Sequence, residues 1–253
     1  CDYALDFMER NSNESFFLYY PMMLTHCPCW PTPDSSVWVD PGKRKPGDGY
    51  FGDSRYFGDM VSYMDKIVGR IIDKLDALKI RENTIVLFIG DNGSDKFVES
   101  WLNDTIIKGG KGLMTDAGTH VPFIVNWPGS TPAGVCDDLV DFSDFMPTFA
   151  YLAGTGVPQD RVIDGVSFSP RIVGEEGTPR EWVFCHYWGK NGREKSTARE
   201  SARDKRWKLY DDGTMYDLES DRLELSPLDT SNEQIREVEK RLREVFLKVH
   251  DNS

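Results

Sequence analysis

The stretch from Ser54 to Gly93 constrains this chain most. Phe57, Met60, Val61, Met64, Ile67, Val68, Ile71, Leu75 and Leu78 recur at three- and four-residue steps. That spacing lines one face of an α-helix and predicts a long amphipathic helix, Ser54 to Leu78, packed on a core. A short turn follows, then the run TIVLFIG, apolar and rich in β-branched residues, which stops at Asp91-Asn92-Gly93. A long helix feeding a continuous apolar strand predicts an α/β fold with a buried parallel sheet.

The rest of the chain extends this pattern. FFLYYP reads as a buried strand that stops at Pro21. Residues 25–46 are rich in Pro, Asp and Gly and read as a long loop, a kind that is often functional. VPFIVNWPG is a second apolar strand ending in a Pro-Gly turn. VDFSDFMPTFAYLAGTG reads as a helix capped by Ser143 and ended by Gly154. After about Gly174 come short strand-like pieces, EWVFCHYW, KRWKLY and MYDL, and then a charged amphipathic helix from about Glu233 to His250. Strands followed by one helix predict a small antiparallel sheet with a covering helix. The expected division is residues 1–174 and residues 175–253. The opening CDYALDFMER reads as the middle of an amphipathic helix, which suggests a fragment.

Composition narrows the function. With 253 residues the chain can bury a sizeable core. A net charge of -12 and a pI near 4.8 argue against a nucleic-acid backbone or an anionic membrane as the main partner. No apolar run approaches the roughly 20 residues that span a bilayer. Five cysteines, Cys1, Cys27, Cys29, Cys136 and Cys185, form no disulfide framework and read as free or partly buried thiols. The pattern Asn-x-Ser/Thr occurs at Asn13, Asn92 and Asn103.

Several residues carry possible chemistry. Asp91 and Asn92 stand at the carboxyl end of an apolar strand, where ligand sites gather in open α/β sheets. A carboxylate beside an amide oxygen suits Ca²⁺ or Mg²⁺. On the dipeptide alone, a plain Asn-Gly turn is the simpler reading. In KGGKGLMTDAGTHVP, glycines flank Lys111 and permit close backbone approach, and a lysine there can meet an anion. The spacing is not that of a phosphate-binding P-loop. His26 follows the first strand and is placed to act as a general acid, although a lone loop histidine is more often structural.

The order of these pieces resembles the type I sulfatases of the alkaline phosphatase-like superfamily. YFGDMVSYMDKIVGRIIDKLDALKIRENTIVLFIGDNG resembles the helix and strand that carry that family's Asp-Asn metal ligands. GGKG followed by TDAGTHVPFIVNWPG resembles its Gly-Lys-Gly, acidic-Gly-Gly-x-Arg, Val-Pro and Trp-Pro-Gly segments. FFLYYPMMLTHCPCWPTP resembles the strand and loop of its His-x-Pro. DLVDFSDFMPTFAYLAG, DGVSFSPRIVGE and MYDLESDRLELSPL resemble three further segments. The resemblance runs through nearly the whole chain in the family's order.

It implies an incomplete central sheet flanked by helices, with a small C-terminal antiparallel sheet and helix. It implies calcium-dependent sulfate-ester hydrolysis, on a sulfated small molecule or carbohydrate, in a periplasmic or secreted protein. Asp91 and Asn92 would be two calcium ligands, Lys111 would contact the sulfate and the ester oxygen, and His26 would protonate the leaving oxygen. Two departures stand out. His120 takes the place of the family's arginine, exchanging a fixed bidentate cation for a titratable ring. The paired Asp-Asp and the Cys-x-Pro-Ser-Arg whose cysteine becomes formylglycine are absent, which places both in a missing N-terminal segment. Cys29-Trp30-Pro31-Thr32-Pro33 lacks the arginine and stands in the wrong place. The alternatives are a phosphodiesterase or phosphonate hydrolase of the same superfamily, or a non-catalytic binding protein. Specificity is expected from loops, including residues 25–46 and 186–195, with Trp188, Lys190 and Arg193 as candidates. Oligomeric state is not readable.

Overall fold

A computed structural model describes residues 1–43, 53–188 and 198–251. The chain forms two compact units. One comprises Cys1–Lys111 and Pro122–Pro128, the other Gly112–Val121 and Gly129–Ser253.

In the first unit, α1 (Asp2–Arg10) buries Ala4 and Met8, one turn apart on one face. It packs on α2 (Phe57–Ala77), which buries Met60, Ile67 and Leu75 from the predicted stripe. Pairs Arg70–Asp2 and Lys74–Glu9 bridge the two helices at 2.6 Å, on exposed surface where each contributes little. A 3₁₀ turn at Ser54–Tyr56 leads into α2, capped by the Asp53 carboxylate accepting from the Arg55 N–H at 3.0 Å. The helix closes on Lys79 at φ 58°. The Ile80 N–H donates to the Leu75 carbonyl at 3.1 Å and that of Lys79 to Asp76 at 3.0 Å, the two bonds of a Schellman closure.

β1 (Val86–Ile89) forms where TIVLFIG predicts it, but it pairs antiparallel with β4 (Phe123–Asn126), Val86 opposite Asn126 and Ile89 opposite Phe123. The expected parallel pairing is therefore corrected at this ladder. An apolar run reports burial, not strand direction, and the 33 residues between the strands allow either sense. Between them, β2 (Glu99–Leu102) and β3 (Thr105–Lys108) form a hairpin turning at Asn103 and Asp104. The strand expected at FFLYYP is not formed. Residues 16–20 alternate in exposure, but no ladder among the described residues includes them.

The second unit carries the single turn α3 (Asp116–Thr119), α4 (Phe145–Leu152) and α5 (Ser169–Ile172). The cap before α4 is Asp141, not Ser143. Its carboxylate accepts from the N–H and hydroxyl of Ser143, and Asp144 completes the capping box. The Ser143 hydroxyl is itself engaged as a donor to Asp141, while the Asp144 carboxylate reaches back to the Asp141 N–H at 2.8 Å. Gly154, at φ 68°, ends this helix as expected.

The chain then runs through β5 (Val183–Trp188), β6 (Ala198–Arg203), β7 (Trp207–Tyr210) and β8 (Met215–Asp217), an antiparallel meander in that order. α6 (Glu233–Asp251) packs Leu242 on Leu209 and Met215, with Ile235, Val238 and Phe246 around them. This is the small sheet with covering helix that the sequence predicts.

Candidate functional site

The proposed ligands and acid all lie in the first unit. β1 ends at Ile89, and the N–H of the next residue, Gly90, donates to the Pro122 carbonyl at 3.1 Å. The chain then bends, leaving Asp91 exposed and Asn92 half-buried. Among the described residues neither side chain has a hydrogen-bond or ion-pair partner. Their oxygens are hard donors, so their chemistry fits calcium. Calcium takes six to eight oxygen ligands, and no group of three or more His, Cys, Asp or Glu poised for a metal occurs among the described residues. The pair therefore fits as part of a coordination shell.

Downstream, the turn from Ser94 to Val98 meets the segment that carries Lys111. The Lys111 N–H donates to the Ser94 carbonyl at 2.9 Å and the Gly109 N–H to Val98 at 2.8 Å. Gly109 lies so close to this turn that a Cβ there would sit 2.0 Å from the Asp95 carbonyl oxygen. Glycine is required here, though for approach to the chain's own backbone rather than to a ligand. Lys111 is half-buried and, among the described residues, makes no ion pair.

His26 is exposed in its loop, with Nδ1 2.5 Å from the Cys27 carbonyl. A carbonyl can only accept, so Nδ1 carries the hydrogen and Nε2 is the nitrogen left to face a substrate. The next residue reaches further. The Cys27 thiol donates to Asp95 Oδ2 at 3.0 Å. This bond, then burial, pushes the thiol pKa up, while the Lys111 charge draws it down. The same bond holds Asp95 below the ordinary carboxylate range. The Phe97 and Lys96 N–H groups and Lys111 assist it against burial.

Thus the loop bearing His26 and the segment bearing Lys111 come together at Asp95, four residues after Asp91. The cavity of about 390 Å³ beside His26 is lined also by Met23, Trp30, Trp38, Met60 and Tyr63, and not by Asp91, Asn92 or Lys111. Asp95 and Cys27 were not legible as partners, because nothing in the spacing links residues 68 apart. Cys29, by contrast, is buried at 1% exposure, which removes it further from any nucleophilic role.

The second unit explains His120. Asp116, only 5% exposed, accepts from Arg222 Nε at 2.8 Å and Arg203 Nη1 at 3.0 Å, and meets His120 Nδ1 at 3.1 Å. Burial raises the Asp116 pKa, but the hydrogen bonds and charges of His120 and Arg222 outweigh it and hold the carboxyl far below its usual range. The histidine shares its carboxylate with two arginines from elsewhere in the unit. Nearby, Lys208, 2% exposed, donates to the Met114 carbonyl and to Glu224 Oε1, the latter at 3.0 Å. Glu224 also accepts from the Asp116 N–H at 2.7 Å and from the Tyr210 hydroxyl. His186 and His250 each meet Glu200 at 2.9 Å, the latter from α6. Lys190 and Arg193 lie outside the described residues.

Comparison with known proteins gives this arrangement a context. A family model described as "Sulfatase" matches residues 1–155, and one described as "N-sulphoglucosamine sulphohydrolase, C-terminal" matches residues 110–252. An arylsulfatase of Hemicentrotus pulcherrimus is 32% identical over 73% of this chain and 31% of its own length. An N-acetylgalactosamine-6-sulfatase of Canis lupus familiaris is 36% identical over 70% of this chain and 32% of its own. The chain therefore spans about a third of the length of these curated relatives. A solved structure tagged as a 6S-sulfatase, from work on glycosaminoglycan metabolism by Bacteroides thetaiotaomicron, superposes with a TM-score of 0.73 at 23% identity. That superposition covers 98% of this chain and 53% of the other. The α/β fold expected from sequence, with its small C-terminal antiparallel sheet, is the fold that this superposition shows. Because the first of these models matches more than half of its residues, the chain belongs to the sulfatase family.

Proposed function

We propose that the intact protein hydrolyses a sulfate ester with calcium, and that this chain contributes Asp91, Asn92, Lys111 and His26 to the site. What supports the reading is the family membership, together with a strand end whose two oxygen donors and nearby lysine have no ion-pair partner among the described residues.

Calcium, when bound, supplies Lewis acidity to the sulfate oxygens. Asp91 and Asn92 would hold it as two of its oxygen ligands. Lys111 offsets the negative charge of the transferring group and of the bridging oxygen as the sulfur–oxygen bond breaks. His26, its Nδ1–H held by the Cys27 carbonyl, carries a proton on Nε2 and delivers it to the departing alkoxide, an effect typically of about 10²–10⁴ in rate. Formylglycine is the nucleophile that the resemblance implies, and these residues contain no motif for it. We assign residues 1–174 to the catalytic portion and 175–253 to a small α+β subdomain. The substrate class we favour is sulfated carbohydrate, in line with the names of the relatives. A periplasmic or secreted location follows from the same resemblance. No helix among the described residues is long and apolar enough to cross a membrane.

Replacing Lys111 with alanine in the intact protein is expected to lower turnover of an aryl sulfate by about 10²–10³-fold, with the thermal melt unchanged. Near-normal turnover would refute the role. Turnover of an aryl phosphonate or phosphodiester, with none of the sulfate, would favour the phosphoryl-transfer alternative.

A further inference from the structure

Three segments far apart in sequence meet at one carboxylate. Asp95 lies four residues after Asp91, and its backbone carbonyl accepts from the Val98 N–H at 2.9 Å in the turn that follows the strand end. Its Oδ2 also accepts from the Cys27 thiol at 3.0 Å, and Cys27 is bonded through its carbonyl to the His26 ring. On the other side, the Asp95 backbone packs on Gly109, and its neighbour Ser94 accepts from the Lys111 N–H at 2.9 Å. The positive charge of Lys111 acts on both members of the thiol–carboxylate pair.

We propose that Asp95 is a positioning residue, which through the Cys27 thiol holds the His26 loop in register with the turn that anchors Lys111. The inference rests on the sulfatase reading above for what is positioned, but its geometry can be tested separately. A turn alone would need only the backbone bond from Val98 to Asp95. The thiol bond, from a residue next to the general acid, makes the Asp95 carboxylate a tie between catalytic segments. Such ties hold reacting groups to within fractions of an ångström, and a misplacement of about 1 Å can cost about 10²-fold in rate.

The test uses the intact protein with 4-nitrophenyl sulfate. Cys27→Ala removes the thiol donor and leaves the backbone bond of the Asp95 turn in place. It is expected to lower kcat by about 10–100-fold with KM little changed, the pattern of lost transition-state positioning. Cys27→Ser restores a donor and is expected to recover most of that loss. Wild-type kcat in Cys27→Ala, or no recovery in Cys27→Ser, overturns the inference. A second readout needs no turnover. Alkylation of Cys27 by iodoacetamide at pH 8, mapped by peptide mass spectrometry, is expected to run several-fold faster in Asp95→Asn than in the parent, because the thiolate forms more readily without the carboxylate. An unchanged rate overturns the inference. If the parent protein hydrolyses no sulfate ester, the function proposed above fails, and the alkylation rates still decide whether the tie exists.

Discussion

Each unit contains a lysine and an aspartate that stand out, and the two units use them in opposite ways. In the second unit Lys208 is buried, and its ammonium is spent on the Met114 carbonyl and Glu224. Burial lowers its pKa, and Glu224 works against that shift. Asp116 beside it is held by Arg203, Arg222 and His120. In the first unit Lys111 is half-buried without an ion pair among the described residues, and Asp91 is exposed. Charges that are fully engaged build structure. Charges with hydrogen-bonding capacity to spare can meet an oxyanion or a cation.

The strongest challenge to this contrast is Glu224→Ala. It strands a buried ammonium, frees the Asp116 N–H and leaves the Tyr210 hydroxyl unpartnered. The expected loss is about 3–5 kcal/mol of folding stability, read from urea unfolding. Lys111→Ala should change stability by no more than about 0.5 kcal/mol in the same experiment. Equal losses would erase the distinction between the two lysines.

A smaller effect comes from acid. The folded Asp116 pKa lies below its ordinary value of 3.8, so the unfolded chain binds more protons in that range. The stabilisation is complete above 3.8 and declines as pH falls below it toward the folded value. Urea midpoints measured between pH 5 and pH 3 should therefore drop, and Asp116→Asn should flatten part of that slope. A slope unchanged by the substitution contradicts the engaged-carboxylate account.

The smallest effect is at Lys79, a non-glycine residue in left-handed backbone at the end of α2. Lys79→Gly should stabilise by up to about 1 kcal/mol, visible as a small rise in Tm. A fall would show that the lysine side chain contributes more than its backbone strain costs.

The legible parts of the fold are those whose periodicity is long or whose turns are marked. α2 carries a 21-residue stripe, and α6 repeats Ile235, Val238, Leu242 and Val245. The sequence does not reveal β6, whose Ala-Arg-Glu-Ser-Ala-Arg has little strand propensity. Yet β6 lies inside its sheet, with Ala202 fully buried. Pairing on both sides, not propensity, makes it a strand. The hairpin β2–β3 was hidden for a related reason: its strands are four residues long and mostly exposed.

For the site, residue types at a strand end and around paired glycines singled out Asp91, Asn92 and Lys111. Their relation to Cys27 and Asp95 depends on a loop returning across 68 residues, which no local pattern encodes. His120 illustrates the converse. As a motif position it is an arginine replaced by a titratable ring, with no role attached, whereas in the fold it shares a buried carboxylate with Arg203 and Arg222.

The most direct measurement is a crystal structure of the intact protein grown with calcium and sulfate. The account predicts calcium about 2.3–2.6 Å from oxygens of Asp91 and Asn92, and a sulfate oxygen within hydrogen-bond reach of Lys111 Nζ and His26 Nε2. Calcium bound elsewhere, or a sulfate held without Lys111 and His26, would contradict it.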